Sequence, residues 1–472
     1  MASLFGAARG TTAASSSSAA ATTTFTDAAP SWDALAAALN EACAAAGVNT
    51  TPDLVNGGTN PHSLLRLFGA PASTQPQVLL YRDHAAWCPY CEKIWLQLEE
   101  KRLPYRIEKI NMRCYGDKPP AFLAKVPSGL LPAVELNGRL YTESAVIAQL
   151  LEESFPGTAA LMPPPGTPAR RTADELLRLE RTLFSRWMQW LTSYSGDASN
   201  KAAFKTTLAA VDNALQASGG PFFLGDQFSL VDITFAPFLE RMAASLLYYK
   251  GYRMRGDGIW PGIDAWFEAM HRRPTFHAIQ SDYYTHAHDL PPQLGGCEFN
   301  AAGPETAAAI DGTDGRSWRL PLAPLDSNSL EPWPGGDDPQ RDRLEAALRL
   351  VGNHTAVVRF AARGCGQPGH RPVNAPLSDP TAMPGEAHIP DVDAALRWVA
   401  HALITGCASD GTAFAKVAAA QSQAQQRRGD VAALGAAYMR DRVGVPRDMR
   451  FPAARQLRAH LNWFIDGVTP AV

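Results

Sequence analysis

Residues 78–101 read VLLYRDHAAWCPYCEKIWLQLEEK, and this stretch decides the fold. Its apolar start at 78–81 predicts a buried strand, and the spacing of apolar residues at 92–101 predicts a helix. A C-P-Y-C motif stands at the junction between them. We therefore expect the Cys88 sulfur at a helix N-terminus, where unpaired backbone amides and the helix dipole favour the thiolate over the thiol.

The two cysteines of the motif have different expected roles. Cys88 is the candidate nucleophile, and Cys91, which follows one turn later and is more buried, is the candidate resolving thiol. A zinc site normally needs a second cysteine pair, and the sequence contains no other C-x-x-C, so we expect no metal. The alternative is that both are ordinary core cysteines at the start of a helix.

An α/β pattern continues after the motif. Residues 105–110 alternate as a second strand, and Asn137-Gly138 between two apolar runs predicts a β-hairpin. A further helix is expected after Glu143. From the first strand onward the predicted order is strand, helix, strand, helix, hairpin, helix.

Two further features converge on the same thiol. Leu131-Pro132 precedes a strand, where a cis peptide would turn backbone N–H and C=O groups outward to pair with a peptide-like ligand. At the next strand-to-helix junction the Ser144 hydroxyl and the helix amides can hold a carboxylate, while Glu143 can pair with an ammonium group. Taken alone, that junction is an ordinary helix start. An amino-acid end, a peptide edge and a reactive thiol together describe glutathione, with its own thiol facing Cys88.

The length of 472 residues predicts about three domains. The expected division is a disordered leader (1–26), an N-terminal helical arm and linker (27–76), an α/β domain carrying the motif (77–157), an all-helical domain (169–285), a linker (286–338) and a mainly helical C-terminal extension (339–472). The leader is rich in Ser and Thr and has no acidic residue, which is typical of an organellar transit peptide. We expect the protein to be located in the chloroplast stroma. The cytoplasm is the alternative if the leader contains no targeting signal.

The composition excludes several classes of protein. The net charge of −3 lacks the basic excess of a general nucleic-acid binder. No apolar run reaches the roughly 18–20 residues of a membrane helix, and seven cysteines are too few for a disulfide framework. We expect a soluble intracellular protein without nucleic-acid or membrane partners.

The stretches PSGLLPAV (127–134), TESAVI (142–147) and GDQFSLVD (225–232) resemble the glutathione transferase superfamily. The implied fold is an α/β thioredoxin-like domain that binds glutathione, then an all-α glutathione-transferase C-terminal domain, followed here by the mostly helical extension. The cysteine at position 88 resembles the cysteine-type classes (omega, lambda and dehydroascorbate reductase), whereas the intact C-P-Y-C is glutaredoxin-like. The long tail and the arm with Trp32 resemble the iota class of photosynthetic lineages, which supports a plastid address.

The resemblance also implies an activity and a set of site residues. It implies that Cys88 is catalytic and that glutathione is contacted by Lys125 (at the glycyl carboxylate), Leu131 (at the backbone), Pro132, Glu143 and Ser144. The favoured function is a glutathione-dependent thiol transferase or deglutathionylase, including dehydroascorbate reduction. Its partners would be the co-substrate glutathione and a small-molecule disulfide, an oxidant or a glutathionylated protein. Candidates for the acceptor pocket are Tyr90, Trp187 and Trp190.

Two other functions stay open at this point. One is glutathione conjugation to electrophiles. The other is a non-catalytic protein that binds a ligand, a flavin or a glutathione-ligated iron–sulfur cluster. The protein is expected to be a monomer or a homodimer.

The extension has its own patterns. Helical spacing occurs at 341–351, 392–405, 412–426, 431–442 and 453–465. Six arginines fall within 19 residues, at Arg440, Arg442, Arg447, Arg450, Arg455 and Arg458. They could form an anion site for a nucleotide or flavin phosphate. We favour the second interpretation, in which Arg–Asp pairs involving Asp441 and Asp448 join the helices.

Overall fold

The computed structural model describes residues 25–370, 375–406 and 423–469. The expected leader lies almost entirely outside the described residues, and so does most of the helix predicted at 412–426. The described α-helices are α1 Phe25–Ala28, α2 Trp32–Ala45, α3 Pro89–Lys101, α4 Pro120–Lys125, α5 Ser144–Ser154, α6 Pro168–Thr192, α7 Asp197–Ala217, α8 Leu230–Lys250, α9 Pro261–His271, α10 Pro274–Ile279, α11 Tyr283–Leu294, α12 Gly303–Ile310, α13 Pro339–Gly352, α14 His354–Ala361, α15 Ile389–Thr405, α16 Gln423–Arg440 and α17 Phe451–Val468. Single 3₁₀ turns lie at Arg113–Tyr115, Ala362–Cys365 and Glu386–His388.

A five-stranded sheet carries the cysteine motif. Its strands are β1 Leu65–Arg66, β2 Val78–Asp83, β3 Tyr105–Ile110, β4 Ala133–Leu136 and β5 Arg139–Thr142, in the order β1-β3-β2-β4-β5. Strands β2 and β3 are parallel, and the other pairs are antiparallel. The β4–β5 hairpin turns through Asn137 and Gly138, both with positive φ (51° and 79°), which suits an Asn-Gly turn.

Helix α3 packs on one face of this sheet because its apolar residues recur at helical spacing. Ile94, Trp95 and Leu98 are buried there together with Leu80 of β2. Pro89 occupies the first turn, where its missing amide hydrogen costs no bond, and the helix ends at Arg102 in a left-handed conformation. The expected thioredoxin-like domain is thereby confirmed.

An all-helical domain follows in α6 to α10, as expected from the sequence. Helix α8 runs through its centre and is buried along its whole length. A capping box starts this helix, with Ser229 and Asp232 each bonded to the backbone of the other. Thus the fold class, an α/β domain followed by a helical one and a long helical C-terminal region, is confirmed.

The segments expected as linkers contain more structure than their composition predicts. In the first, Leu65–Arg66 adds strand β1 to the sheet, and buried Arg66 pairs with Glu99 of α3 at 2.9 Å. In the second (286–338), α11 continues to Leu294 and α12 follows, while Trp318 and Trp333 are buried. Gly and Pro mark irregular backbone, but isolated apolar side chains in such backbone can still be buried.

A second core unites the N-terminal arm with the C-terminal extension. Leu35, Leu39 and Cys43 of α2 pack in one cluster with side chains of α13, α15 and α17. Trp32 Nε1 donates to Asp393 Oδ1 at 2.8 Å, although 361 positions separate them. The extension is mainly helical as expected, and α14 is an additional helix that the sequence pattern did not indicate. Among the described helices, none is long and apolar enough to cross a membrane.

Candidate active site

Cys88 lies where the strand-to-helix pattern predicted it. It is the N-cap residue of α3 and is half-buried. Its Sγ lies 4.0 Å from the carbonyl oxygen of Leu131. Its side chain makes no capping hydrogen bond to the helix amides. The sulfur is therefore at the positive end of the helix and reachable from solvent.

Cys91 and Asp83 form a buried polar group behind this sulfur. One oxygen of Asp83 and the two sulfur atoms lie within 4.8 Å of one another. Cys91 and Asp83 are each 1% exposed, and both cysteines are free. Burial holds the pKa of Cys91 well above its ordinary value, and its hydrogen bond with Cys88 and the Asp83 charge act in the same direction. Cys91 is thus held as a neutral thiol that donates toward Cys88.

Asp83 is a residue that sequence reasoning missed. It ends strand β2, and its Oδ2 accepts a hydrogen bond from the Trp87 amide at 2.7 Å, which shapes the loop before Cys88. A signal was present, because a buried strand that ends in two charged residues, Arg82-Asp83, is unusual. The three ligand-type atoms of Asp83, Cys88 and Cys91 do not by themselves make a metal site.

The helical domain also holds the cysteine loop. Arg241 of α8 pairs with Glu92 of α3 at 3.0 Å and donates to the Trp87 carbonyl. Trp87 Nε1 in turn donates to His286 Nδ1 at 3.1 Å. All these groups are buried, so α8 and α11 fix the backbone that precedes the thiol.

The predicted peptide edge and helix junction lie side by side. The Leu131-Pro132 bond is cis. Ala133 pairs with Thr142, so Pro132 and Glu143 leave the β4–β5 hairpin at the same end. Glu143 has φ of 68° and ψ of 108°, an uncommon conformation for a residue with a side chain.

The side chains at that junction are available. Glu143 is exposed, and Ser144 is half-buried at the first position of α5. Within the described part of the chain, neither side chain has a hydrogen-bond partner. Since Leu131 lies beside Cys88, the structure brings Cys88, Leu131, Pro132, Glu143 and Ser144 to one edge of the sheet.

Lys125 already has partners within the protein. It ends α4, and its Nζ lies 2.6 Å from Glu135 Oε1 and 2.7 Å from the Tyr81 hydroxyl. The hydrogen bond to Glu135, followed by that to Tyr81, raises the pKa of Lys125. Its ammonium group is therefore already paired with a carboxylate of the protein.

Lys118, which had no sequence signal, lies close enough to Cys88 and Cys91 for their charges to act on it. Burial lowers the pKa of Lys118, while the charges of Cys88 and Cys91 act in the opposite direction. Its Nζ donates to the Asn111 carbonyl at 2.8 Å. A Cβ at Gly129 would stand 3.4 Å from Lys118 Cδ, so this side chain runs under the loop that leads to Leu131.

The three aromatic candidates are not equivalent. Tyr90 is 36% exposed and makes an edge contact with Phe238. Trp187 and Trp190 are at most 1% exposed, and their indole groups donate to Ser245 and Asp197. Both tryptophans therefore lie in the core of the helical domain rather than on an accessible wall, because the apolar face of α6 is turned inward.

Comparisons with known proteins agree with this fold. Residues 87–154 match the family "Glutathione S-transferase, N-terminal domain", and residues 174–269 match "Glutathione S-transferase, C-terminal domain". "Glutathione S-transferase DHAR2" of Arabidopsis thaliana is 33% identical over 165 residues, 35% of this chain and 71% of that protein. "Probable glutathione S-transferase DHAR1, cytosolic" of Oryza sativa subsp. japonica is 30% identical over 190 residues, 40% of this chain and 82% of that protein.

A third relative is similar over an alignment of comparable length. "Probable glutathione S-transferase DHAR2, chloroplastic" of Oryza sativa subsp. japonica is 30% identical over 192 residues, 39% of this chain and 65% of that protein. The two family models cover the cysteine motif and the cis-proline edge (residues 87–154) and helix α8 (residues 174–269). This chain therefore belongs to the glutathione S-transferase family of enzymes, among its cysteine-type members.

Proposed function

We propose that this protein is a glutathione-dependent thiol transferase that removes glutathione from mixed disulfides. The observation that carries the proposal is the position of a half-exposed Cys88 at a helix N-terminus, beside the Leu131-Pro132 edge. Tyrosine- or serine-type enzymes hold the glutathione thiolate by donating a hydrogen bond to it, whereas a cysteine forms a disulfide with it. For that reason we rank conjugation to electrophiles second.

Glutathione would lie along the edge built by β4 and α5. The Leu131 backbone would pair with its cysteinyl residue, and Pro132 would shape that edge. The Ser144 hydroxyl and the first amides of α5 would hold the γ-glutamyl carboxylate, and Glu143 would pair with the ammonium group. The unpartnered state of these two side chains supports that assignment. For the glycyl carboxylate we propose Lys118 beside Lys125, since Lys125 would first have to leave Glu135.

The reaction has two displacement steps. The Cys88 thiolate attacks the glutathione sulfur of a mixed disulfide, so that a Cys88–glutathione disulfide forms and the other thiol leaves as a thiolate that takes a proton from water. A second glutathione thiolate then attacks the glutathione sulfur of that disulfide, which releases oxidised glutathione and restores Cys88. Because burial keeps Cys91 protonated, we propose that the second glutathione, rather than Cys91, performs this step at neutral pH. With dehydroascorbate, the Cys88 thiolate would add to a carbonyl carbon, and a glutathione thiolate would then attack the Cys88 sulfur. Ascorbate leaves with the electron pair of the broken C–S bond and takes up a proton, and the same Cys88–glutathione disulfide remains.

The proposal also covers the glutathione transferase class and the cellular compartment of the protein. The arm with Trp32 and the extension resemble the iota class, and we propose that assignment together with the chloroplast stroma. The rice relatives include one named cytosolic and one named chloroplastic. Fusion of residues 1–60 to a fluorescent protein, expressed in a plant cell, tests the address: plastid fluorescence supports it, and diffuse cytoplasmic fluorescence contradicts it.

Substitution of the motif cysteines tests the activity. Cys88→Ser removes the nucleophile and should lower turnover with hydroxyethyl disulfide, a glutathionylated peptide and dehydroascorbate by at least about a thousandfold. Cys91→Ser should retain most of the turnover. Cys297→Ser is the matched control, because Cys297 is a free, half-buried cysteine in the turn after α11.

Each outcome of that test has a distinct meaning. Full turnover by Cys88→Ser would end the proposal. Loss of turnover in Cys91→Ser would mean that Cys91 resolves the mixed disulfide. Faster reaction with an aryl halide than with any disulfide would favour conjugation. Visible absorbance after anaerobic purification would favour a cluster- or flavin-binding protein.

A further inference from the structure

A cavity of about 1100 Å³ lies between the α/β domain and the extension. His62, His84 and Tyr115 line it from the α/β domain. Helices α13 and α14, the segment 377–384 and residues near the end of α16 line it from the extension. Neither Cys88 nor the β4–β5 edge contributes to its wall. The cavity therefore exists only because the extension packs against the domain that carries the motif.

The wall of this cavity is strongly cationic, although the whole chain has a net charge of −3. Five arginines line it against two aspartates. Two of these arginines are neutralised: Arg359 pairs with Glu386 at 2.6 Å, and Arg447 pairs with Asp448 at 2.7 Å.

The other three arginines lack such partners. In the described residues, Arg349, Arg363 and Arg442 form no ion pair with a carboxylate. Arg363 donates to a backbone carbonyl, that of Asp379, at 3.2 Å. Arg442 likewise donates to the Tyr438 carbonyl at 3.2 Å. The interpretation that Arg–Asp pairs join the helices holds for Arg450, which pairs with Asp342 of α13 at 3.3 Å. Arg447 pairs only with its chain neighbour Asp448, and Arg442 forms no such pair among the described residues.

Several polar atoms on this wall are buried without a partner. They are His62 Nε2, His84 Nδ1 and Arg442 Nε. A buried polar atom that lacks a hydrogen bond destabilises the fold, so such atoms are kept where something else satisfies them. Burial lowers the pKa of both histidines to about 4, so at neutral pH each ring is uncharged and can donate or accept.

The remaining wall is apolar and partly aromatic. Leu348, Val357, Phe360 and Met383 line it. Phe360 makes an edge contact with Tyr438 at 5.3 Å, and the Arg363 guanidinium lies 5.4 Å from the Phe360 ring centroid. Cationic groups beside flat rings and aliphatic side chains are suited to a ligand with an anionic end and a planar apolar body.

We propose that this cavity binds a small molecule that carries a phosphate group on a flat aromatic ring system. A phosphate bears between one and two negative charges and three acceptor oxygens on one centre, which suits several unpaired guanidinium groups better than a single carboxylate does. Arg349 and Arg442 are the proposed anion-binding residues. The cavity is large enough for a nucleotide-sized molecule, since ligand pockets usually measure about 300–1,000 Å³.

Calorimetric titration of the full chain tests this with matched pairs of probes. The pairs are adenosine 5′-monophosphate with adenosine, and riboflavin 5′-phosphate with riboflavin. At least one phosphorylated probe should bind, and at least about tenfold more tightly than its unphosphorylated partner, because each charge-assisted hydrogen bond contributes about a factor of ten or more. Inorganic phosphate should bind more weakly than that probe.

Variants then locate the site. Arg442→Gln and Arg349→Gln should each lower the affinity for the phosphorylated probe at least about tenfold. Arg272→Gln, which replaces an exposed arginine at the C-terminal cap of α9 outside the cavity, should leave binding unchanged. Circular dichroism confirms that the variants are folded, and Cys88-dependent turnover should be unaffected in all three because the two sites are separate.

The proposal fails if neither phosphorylated probe binds below about 1 mM, or if removal of the phosphate leaves the affinity unchanged. It also fails if the two cavity variants bind as tightly as Arg272→Gln does. Inorganic phosphate that binds as tightly as the ring-bearing probes would overturn the aromatic part of the proposal. None of these results depends on whether Cys88 is catalytic.

Discussion

At the scale of single residues, burial and the neighbouring carboxylate of Asp83 together raise the pKa of Cys91. Asp83 places a carboxylate within 4.8 Å of both sulfur atoms, in a region from which water is excluded. Burial raises the pKa of Cys91, and the negative charge of Asp83 adds to that effect. Cys88 is therefore the proposed nucleophile, while Cys91 remains a protonated thiol.

Replacement of Asp83 by Asn tests this control. The amide keeps an oxygen that can accept from Trp87 but removes the charge, so the pKa of Cys91 should fall toward its ordinary value. Formation of the Cys88–Cys91 disulfide from the Cys88–glutathione intermediate should then shift to lower pH by up to about one unit. The measurement is the rate of glutathione release from that intermediate between pH 6 and 10, with Cys91→Ser as the blank.

A matched control is Asp117→Asn, which removes an exposed carboxylate that does not belong to the group formed by Asp83 and the two thiols. Its pH profile should coincide with that of the unmodified protein. An unchanged profile in Asp83→Asn, or a shift to higher pH, would show that Asp83 does not act on Cys91.

At the scale of elements, helix α8 carries the connection between the two family domains. Its Arg241 reaches Glu92 of α3 and the Trp87 carbonyl, and it lies 4.8 Å from the Trp87 ring centroid. Both side chains of the ion pair are at most 7% exposed. Loss of one partner therefore leaves polar groups buried without compensation, which costs more than the loss of a surface pair.

The variant Arg241→Met should lower the free energy of unfolding by about 3–5 kcal/mol. Because the same arginine holds the backbone before Cys88, thiol transferase turnover should also fall. Urea unfolding followed by circular dichroism measures the first effect, and turnover with hydroxyethyl disulfide measures the second. Arg272→Met, which breaks an exposed pair with Glu268, should cost less than about 1 kcal/mol. Equal effects of the two variants would contradict the assigned role of Arg241.

At the scale of the whole molecule, the extension is attached to the family core by a buried ion pair. Arg458 of α17 donates to Asp282 Oδ2 at 2.6 Å, and both side chains are at most 1% exposed. Asp282 also caps α11 by accepting from the Thr285 amide at 2.9 Å. The Arg458 guanidinium lies over the rings of Tyr284 and Trp318, at 4.5 and 4.9 Å from their centroids. The extension is thus part of the folded unit.

Arg458→Met should therefore lower the stability of the whole molecule rather than that of one helix. We expect a loss of about 3–5 kcal/mol in the free energy of unfolding and faster limited proteolysis between α12 and α13. Arg319→Met breaks the exposed pair with Asp466 and should cost less than about 1 kcal/mol. If the extension were an independent appendage, Arg458→Met would leave unfolding of the family core unchanged.

The sequence by itself determined the features that depend on near neighbours. An apolar run followed by C-P-Y-C placed Cys88 at a helix start, Asn137-Gly138 set the hairpin, and Ser229 began α8. Such features follow from local backbone preference and hydrophobic spacing, which act over a few residues. The family resemblance added the order of the two domains.

Only the tertiary structure decided which distant groups meet. Arg241 and Glu92 are 149 positions apart, and no local pattern indicates their contact. The Lys125 ammonium group meets Glu135 of β4 and Tyr81 of β2, which strand pairing brings side by side. The cationic cavity arises where two separate cores pack together. Contacts of this kind depend on the packing of whole elements, and that information is spread over the chain rather than held in any one stretch of it.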